Sequence, residues 1–179
     1  GSTIANSAAY ENQKDNSHIA IGGGFGCVIT GSTAYGNEGE GIRASRDSII
    51  AGNAVRGNSA GINGGDGSRI IGNTASENDG NGIFGGTDST ISDNVVRANG
   101  LWGIKAAGGS TIADNMISGN NLNEAEDTGG LDVSGNSHVI SNTLAGNHET
   151  GISAAAGSTL RDNHVTDVSA VNGVSRCFD

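Results

Sequence analysis

Ser89-Thr90-Ile91-Ser92-Asp93-Asn94-Val95-Val96-Arg97-Ala98-Asn99 returns almost intact as Ser110-Thr111-Ile112-Ala113-Asp114-Asn115-Met116-Ile117-Ser118-Gly119-Asn120. The frame recurs at residues 48–58, 68–78 and 137–147, more loosely at 158–168, and in two degenerate copies, 2–12 and 27–37, that open the chain. A Gly-Ile-like step follows each copy: Gly41-Ile42, Gly61-Ile62, Gly82-Ile83, Gly103-Ile104, Gly130-Leu131, Gly151-Ile152 and Gly173-Val174, with Ile19 and Ile21 nearest to it in the first. The turn asparagines Asn53, Asn73, Asn94, Asn115, Asn142 and Asn163 are spaced 20, 21, 21, 27 and 21 residues. Self-similarity at a fixed period marks a stacked repeat.

A unit of this length fits either a leucine-rich repeat or a β-helix coil. Leu numbers only 5 in the chain and its Leu-x-x-Leu-x-Leu frame is missing, which excludes the first. Apolar residues instead come in three short alternating bursts: Ser-x-Ile, the residues after Asn (Val55, Val96, Ile117, Leu144), and Gly-Ile-x-Ala. Alternation broken by Asn and Gly reads as short strands joined by tight bends. Asn and Gly tolerate the left-handed backbone at such bends, and asparagines stacked in successive coils can hydrogen-bond along the axis. The expectation is an all-β parallel β-helix of about eight coils, roughly 21 residues each, with three strands per coil and an Asn ladder at one bend.

Composition agrees. The 179 residues include 32 Gly and no Pro, and Ile, Val, Leu and Phe together number 35. That fraction lies near the roughly 20% below which a strongly charged chain is expected to be disordered. A stack in which each coil pairs with both neighbours, ~4.8 Å apart, needs little apolar mass per residue. Net charge is −10, from 9 Lys+Arg against 19 Asp+Glu, which argues against nucleic acid as a partner. No run of 18 apolar residues exists, so no membrane span is expected.

With its Asn ladder and Gly-Ile steps, the chain resembles the right-handed parallel β-helix repeat proteins of the pectate-lyase-like superfamily. The resemblance covers nearly the whole length and implies a right-handed coil. It also implies the company of lyases, hydrolases and epimerases acting on polysaccharides, of phage tailspikes and adhesins, and of members without activity. The Asp-Pro-His motif of the alginate epimerases is excluded by the absence of Pro, and no convincing set of pectate-lyase calcium and arginine motifs is present. The implied location is extracellular, at a cell surface or on a virion tail.

Residues 1–179 read as one β-helix domain. No amphipathic segment precedes the first strand copy to cap the stack, and solenoids need polar caps. The expectation is therefore a fragment, or a chain whose open ends are covered by further domains or by other copies in a homo-oligomer. Cys27 takes the Ser position of its coil and reads as a core filler. Cys177 is six coil steps away, on the order of 29 Å, too far for a disulfide; it reads as free or intermolecular.

Inward columns carry no chemistry, so function must lie on outward positions and loops. The residue after the Gly-Ile step forms the outward column Arg43, Asn63, Phe84, Lys105, Asp132, Ser153 and Ser175. The resemblance places the substrate groove along this column. The 27-residue spacing inserts six residues around 121–128, at the edge of the same column, and departures from a repeat tend to carry function. An aromatic platform, carboxylates and a base are what sugar chemistry requires. Trp102, Phe84, Arg43 and Glu149 are the expected substrate-binding residues. Lys105, Asp132 and His148 are the catalytic candidates, by β-elimination through Lys105 or by hydrolysis through Asp132 with Glu126 or Glu124. Glu124, Glu126, Asp127 and Asp132 are oxygen donors of the type that binds calcium, although no cofactor is required.

Each has a plainer reading. Trp102 would shield its coil edge, Lys105 and Asp132 would form a cross-strand ion pair, and His148 would be a solvated loop residue. Asp93 and Asp114 read as solvated bend residues, and Arg56 and Arg97 as isolated cations or a grip for an anionic polymer. The column Thr3, Thr90, Thr111 and Thr159, which would suit ice, is interrupted by Val28, Ile49, Arg69 and His138. The leading function is polysaccharide recognition along the lateral face near the insert. The alternatives are a purely structural or adhesive solenoid and a polysaccharide lyase or hydrolase.

Overall fold

The computed structural model describes residues 1–12, 18–166 and 171–172. One coil is enough to show how the sequence builds it. Its three strands are Arg69–Ile71, Thr74–Ser76 and Ile83–Gly85. Ile70, Ala75 and Ile83 point inward and are fully buried, whereas Arg69 is exposed. The next coil repeats this with Thr90–Ser92, Val95–Arg97 and Ile104–Ala106. Its register is one-to-one: Ile70 lies opposite Ile91, Ala75 opposite Val96 and Ile83 opposite Ile104.

Carried through the chain, the pattern gives three parallel eight-stranded sheets and hence eight coils. Sheet A runs from Thr3–Ala5 to Thr159–Arg161, sheet B from Ala8–Tyr10 to His164–Val165, and sheet C from Ile19–Gly23 to Val171–Asn172. The core is a narrow column of Ile, Val, Leu and Ala, one from each inner strand of sheets A and B and up to two from those of sheet C, and many of its members have no exposed surface. Cys27 is among them, 1% exposed, with Sγ 3.4 Å from Ser48 Oγ; Cys177 lies outside the described residues.

Three details depart from expectation. The ladder asparagines are not themselves left-handed. At each corner the left-handed residue precedes the inward polar one, as in Gly52-Asn53, Gly72-Asn73, Asp93-Asn94 and Asp114-Asn115. That residue turns the chain, and its successor is then aimed into the stack. Second, there are two asparagine ladders and not one. The first joins Asn53, Asn73, Asn94, Asn115, Asn142 and Asn163 at 2.9–3.1 Å between sheets A and B. The second joins Asn12, Asn37, Asn58, Asn78, Asn99, Asn120 and Asn147 at 2.7–3.1 Å between sheets B and C. At the third corner serine hydroxyls play the part, Ser110 Oγ accepting from Ser89 N at 3.2 Å. Third, the strand partner of Ile152 in the last coil is Val171. Gly173, Val174 and Ser175 lie outside the described residues.

The glycine of the Gly-Ile step has a steric cause. A Cβ on Gly82 would stand 2.5 Å from Val96 Cγ1 and 2.6 Å from Asn99 Nδ2. The backbone must pass close over the second ladder, and only glycine lets it.

Asn94 shows why asparagine suits a buried corner. Its Oδ1 accepts from the backbone N–H and the Nδ2 of Asn73, at 2.9 and 3.1 Å. Its Nδ2 donates to the carbonyls of Ile70 and Ser92 and to Asn115 Oδ1, at 2.9, 2.9 and 3.0 Å. Each buried group left unpaired costs about 1–3 kcal/mol. Asn94→Ala orphans the Asn73 backbone N–H, while Asn73 Nδ2 keeps the carbonyls of Ile50 and Ile71, so a fall in stability of at least about 1 kcal/mol is expected in urea unfolding followed by circular dichroism. Asp93→Asn, one residue away at the exposed bend, leaves the midpoint nearly unchanged.

Ala98 is held at φ 54°. The left-handed region costs a side-chain-bearing residue roughly 1–2 kcal/mol, only partly offset by the extra unfolded-state entropy of glycine. Ala98→Gly is expected to raise thermal stability. Gly119→Ala, made at the equivalent bend of the next coil, where φ is 60° and nothing lies within 4 Å of the added methyl, lowers it.

Candidate functional site

Sheet C presents the expected outward column in register: Arg43, Asn63, Phe84, Lys105, Asp132 and Ser153 occupy successive coils. Its chemistry divides into two parts. In the earlier coils, Arg43 pairs with Glu40 on its own strand, and Asn63 Nδ2 donates to Glu40 Oε1 at 3.1 Å. Glu40, Ala60, Ile62, Asn63, Asn81 and Phe84 line a shallow depression of about 250 Å³. Phe84 is partly buried there, between amides that can both donate and accept. Asn81 Oδ1 accepts the Trp102 backbone N–H at 3.1 Å, which fixes the amide at the rim.

Later in the column, Lys105 Nζ lies 3.1 Å from Asp132 Oδ2, on the neighbouring strand. This is the cross-strand ion pair of the plainer reading, with the lysine side chain 44% and the aspartate 24% exposed. His148 and Glu149 are exposed in the turn before the strand Thr150–Ala154. Glu149 Oε2 accepts the Asp127 N–H at 3.0 Å, which ties that turn to the insert.

The insert does not open a groove; it is laced back onto earlier coils. The backbone N–H groups of Asn121, Leu122 and Asn123 donate to the carbonyls of Leu101, Asn99 and Gly100 at 2.9, 3.1 and 3.1 Å. Asn123 Nδ2 reaches Asp79 O, two coils back, at 2.9 Å. Asn121 is fully buried and closes the loop on Ala125, accepting its N–H at 2.9 Å and donating to its carbonyl at 3.1 Å. Glu124, Glu126 and Asp127 are exposed on the outer side of this loop. Among the described residues no three His, Cys, Asp or Glu side chains come together as a metal site. The structure therefore does not gather Glu124, Glu126, Asp127 and Asp132 into the calcium cluster expected of them.

Trp102, which immediately follows the residues the insert docks on, is 6% exposed. A ring so covered offers no stacking face. The aromatic surface of the column belongs to Phe84 instead, two strands' width nearer the chain start than the insert. Glu40 and Asn81 were missed in the sequence, although each stands immediately before the Gly of a Gly-Ile step, at the edge of the expected column.

Arg56 and Arg46, outside this column, are committed as well. Arg56 binds Glu77 at 2.6 Å and lies 5.9 Å from the centre of the Tyr35 ring. Its hydrogen bond to Glu77 holds the guanidinium pKa above its ordinary value. It shares its outward column with Arg97, two coils on. Arg46 covers Phe25 at 4.7 Å from the ring centre. Asp66, near Arg46, has its carboxyl held below the ordinary range by hydrogen bonds from the Thr87 side chain and backbone. The threonine column of sheet A is in register but interrupted as the sequence indicates. Among the described residues no helix is long and apolar enough to cross a membrane.

Because Trp102 is the sole tryptophan, its emission reports the seating of the insert. Blue-shifted fluorescence with weak acrylamide quenching is expected. Asn121→Ala, which removes the side chain that closes the insert, should raise quenching severalfold while leaving far-UV dichroism unchanged.

No protein of curated function matches the chain in sequence. Among solved structures, the A-module of the mannuronan C-5 epimerase AlgE6 from Azotobacter vinelandii matches with a TM-score of 0.64 and 17% identity, over 94% of this chain and 56% of that one. A mutant of the periplasmic alginate epimerase AlgG matches with a TM-score of 0.53 and 18% identity, over 97% of this chain and 48% of that one. The chain thus spans about half the length of either matched chain, and at these identities the likeness is one of fold. The right-handed beta helix region family matches residues 1–144, and to that family the chain belongs.

Proposed function

We propose that this chain is a polysaccharide-recognition solenoid that acts outside the cytoplasm and binds its ligand along the outward column of sheet C. The observation that carries this reading is the depression around Phe84. One apolar ring flanked by the Asn63 and Asn81 amides and the Glu40 carboxylate suits a sugar, whose ring carbons are apolar and whose hydroxyls donate and accept. A column of side chains on parallel strands ~4.8 Å apart also suits a linear polymer better than a compact ligand. The two structures of like fold are those of a mannuronan epimerase module and an alginate epimerase, which supports a polysaccharide as the ligand class.

Recognition without turnover is the better account of the charged residues. An ammonium group paired with a carboxylate has no lone pair with which to take a proton, and Lys105 is so paired with Asp132. His148 stands outside the column, in the turn that precedes its strand.

The test is a glycan and polysaccharide array on the purified chain, reading both binding and released ends. Binding without product is expected. Phe84→Ala should weaken it at least about tenfold, equivalent to roughly 1.4 kcal/mol, with melting unchanged, while Thr111→Ala on sheet A leaves it intact. Released reducing or unsaturated ends would make the chain an enzyme. Silence across all polymers would favour the structural or adhesive solenoid.

A further inference from the structure

We infer that the ligand of the sheet C face is an uncharged glycan and not a polyuronate; this rests on the reading of that face as polysaccharide-binding. The charged groups of the face neutralise one another within it. Arg43 is held by Glu40 and Lys105 by Asp132, so the column presents no net charge. Gripping a row of uronate carboxylates would require each cation to leave its partner, and the abandoned carboxylate would then face the incoming anion.

The depression itself carries the sharper discrimination. Glu40 lines it beside Phe84, Asn63 and Asn81. Its Oε1 already accepts from Arg43 and Asn63 and its Oε2 is buried, so Arg43 is not free for an incoming carboxylate, which the Glu40 charge also disfavours, whereas a neutral sugar meets no such penalty. The wider field acts in the same direction. With a net charge of −10, the chain repels a polyanion during approach, most strongly at low salt. Arg69 and Arg97 lie on sheets A and B, and neither contributes to this face.

The experiment sets two polymer series against the whole chain at low and high salt. One is neutral, of glucan and galactomannan oligomers; the other is of mannuronate and guluronate oligomers. Affinity is measured by calorimetry, and the fold of every variant is checked by thermal melting. Neutral oligomers are expected to bind with less than about a twofold change between salt conditions, because no ion is released from an uncharged ligand. Uronate oligomers should bind at least about tenfold more weakly. Glu40→Gln should raise uronate affinity severalfold, since it frees Arg43 and removes the repelling charge, and so narrow the preference for the neutral series. Tighter uronate binding that falls as salt is added would overturn the inference and leave the polysaccharide reading standing. Failure of both series to bind, in a chain with normal melting, would overturn the polysaccharide reading itself.

Discussion

The buried amide ladder is the constraint on which the rest of the structure depends. Each coil must turn three corners, and each corner brings polar backbone into an interior that excludes water. Asparagine resolves this because it carries a double acceptor and a double donor on one short side chain. Asn94 uses all of them, with partners in its own coil and in both neighbouring coils. The bonds are directional: along each ladder the amide nitrogen of one coil gives to the amide oxygen of the next. A ladder therefore tolerates no change of register, since a slip would orphan every amide beyond it. Serine occupies the first two rungs, Ser7 and Ser32, and hands the pattern to Asn53, whose Oδ1 accepts the Ser32 N–H at 2.9 Å.

The insert shows how strict that rule is. Its extra residues lengthen one coil, yet the rungs on either side are undisturbed: Asn115 reaches Asn142 at 2.9 Å and Asn120 reaches Asn147 at 2.8 Å, each across 27 residues. The additional length is accommodated wholly outside the stack, between the second ladder and the glycine that must pass over it. There the loop finds unpaired carbonyls of preceding coils and is fixed to them. What looks in the sequence like a functional loop is thus a buttress along the corner between sheets B and C.

This distinguishes what the sequence makes legible from what it does not. Period, strand count, inward columns and the outward column of sheet C all follow from local alternation, because each depends on residues within one coil and its immediate copy. The left-handed position was displaced by one residue, since Asp-Asn, Gly-Asn and Ser-Asn pairs allow either member to take the bend. The second ladder was present in the template, as Asn99 and Asn120, but an asparagine looks the same in sequence whether it points inward or outward. Trp102 and Phe84 could not be ranked from spacing at all. Their exposure depends on packing between coils, which spacing along the chain does not carry: Trp102 is 6% exposed, while Phe84 lines an open depression. Acidic residues near one another along the insert likewise gave no guide to their directions in space, which is why the expected calcium ligands do not converge.

A fold determined by its inward columns leaves the outward ones almost unconstrained. Ile, Asn, Ser and Gly at fixed positions suffice to build the stack, and the side chains between them can be aromatic, cationic or acidic without cost to the ladders. Two β-helices can therefore share their path through space at 17% or 18% identity while differing in the residues they present outward, so likeness of coil does not fix which side chains meet a ligand. What distinguishes this chain is found in the few outward positions where neighbouring coils combine: Glu40 answering Arg43, Asp132 answering Lys105, and Phe84 set between two amides. Each cation on that face already has its anion. A surface so balanced can still be sticky, but its adhesion has to come from the ring and the amides, that is, from shape and hydrogen bonding and not from charge.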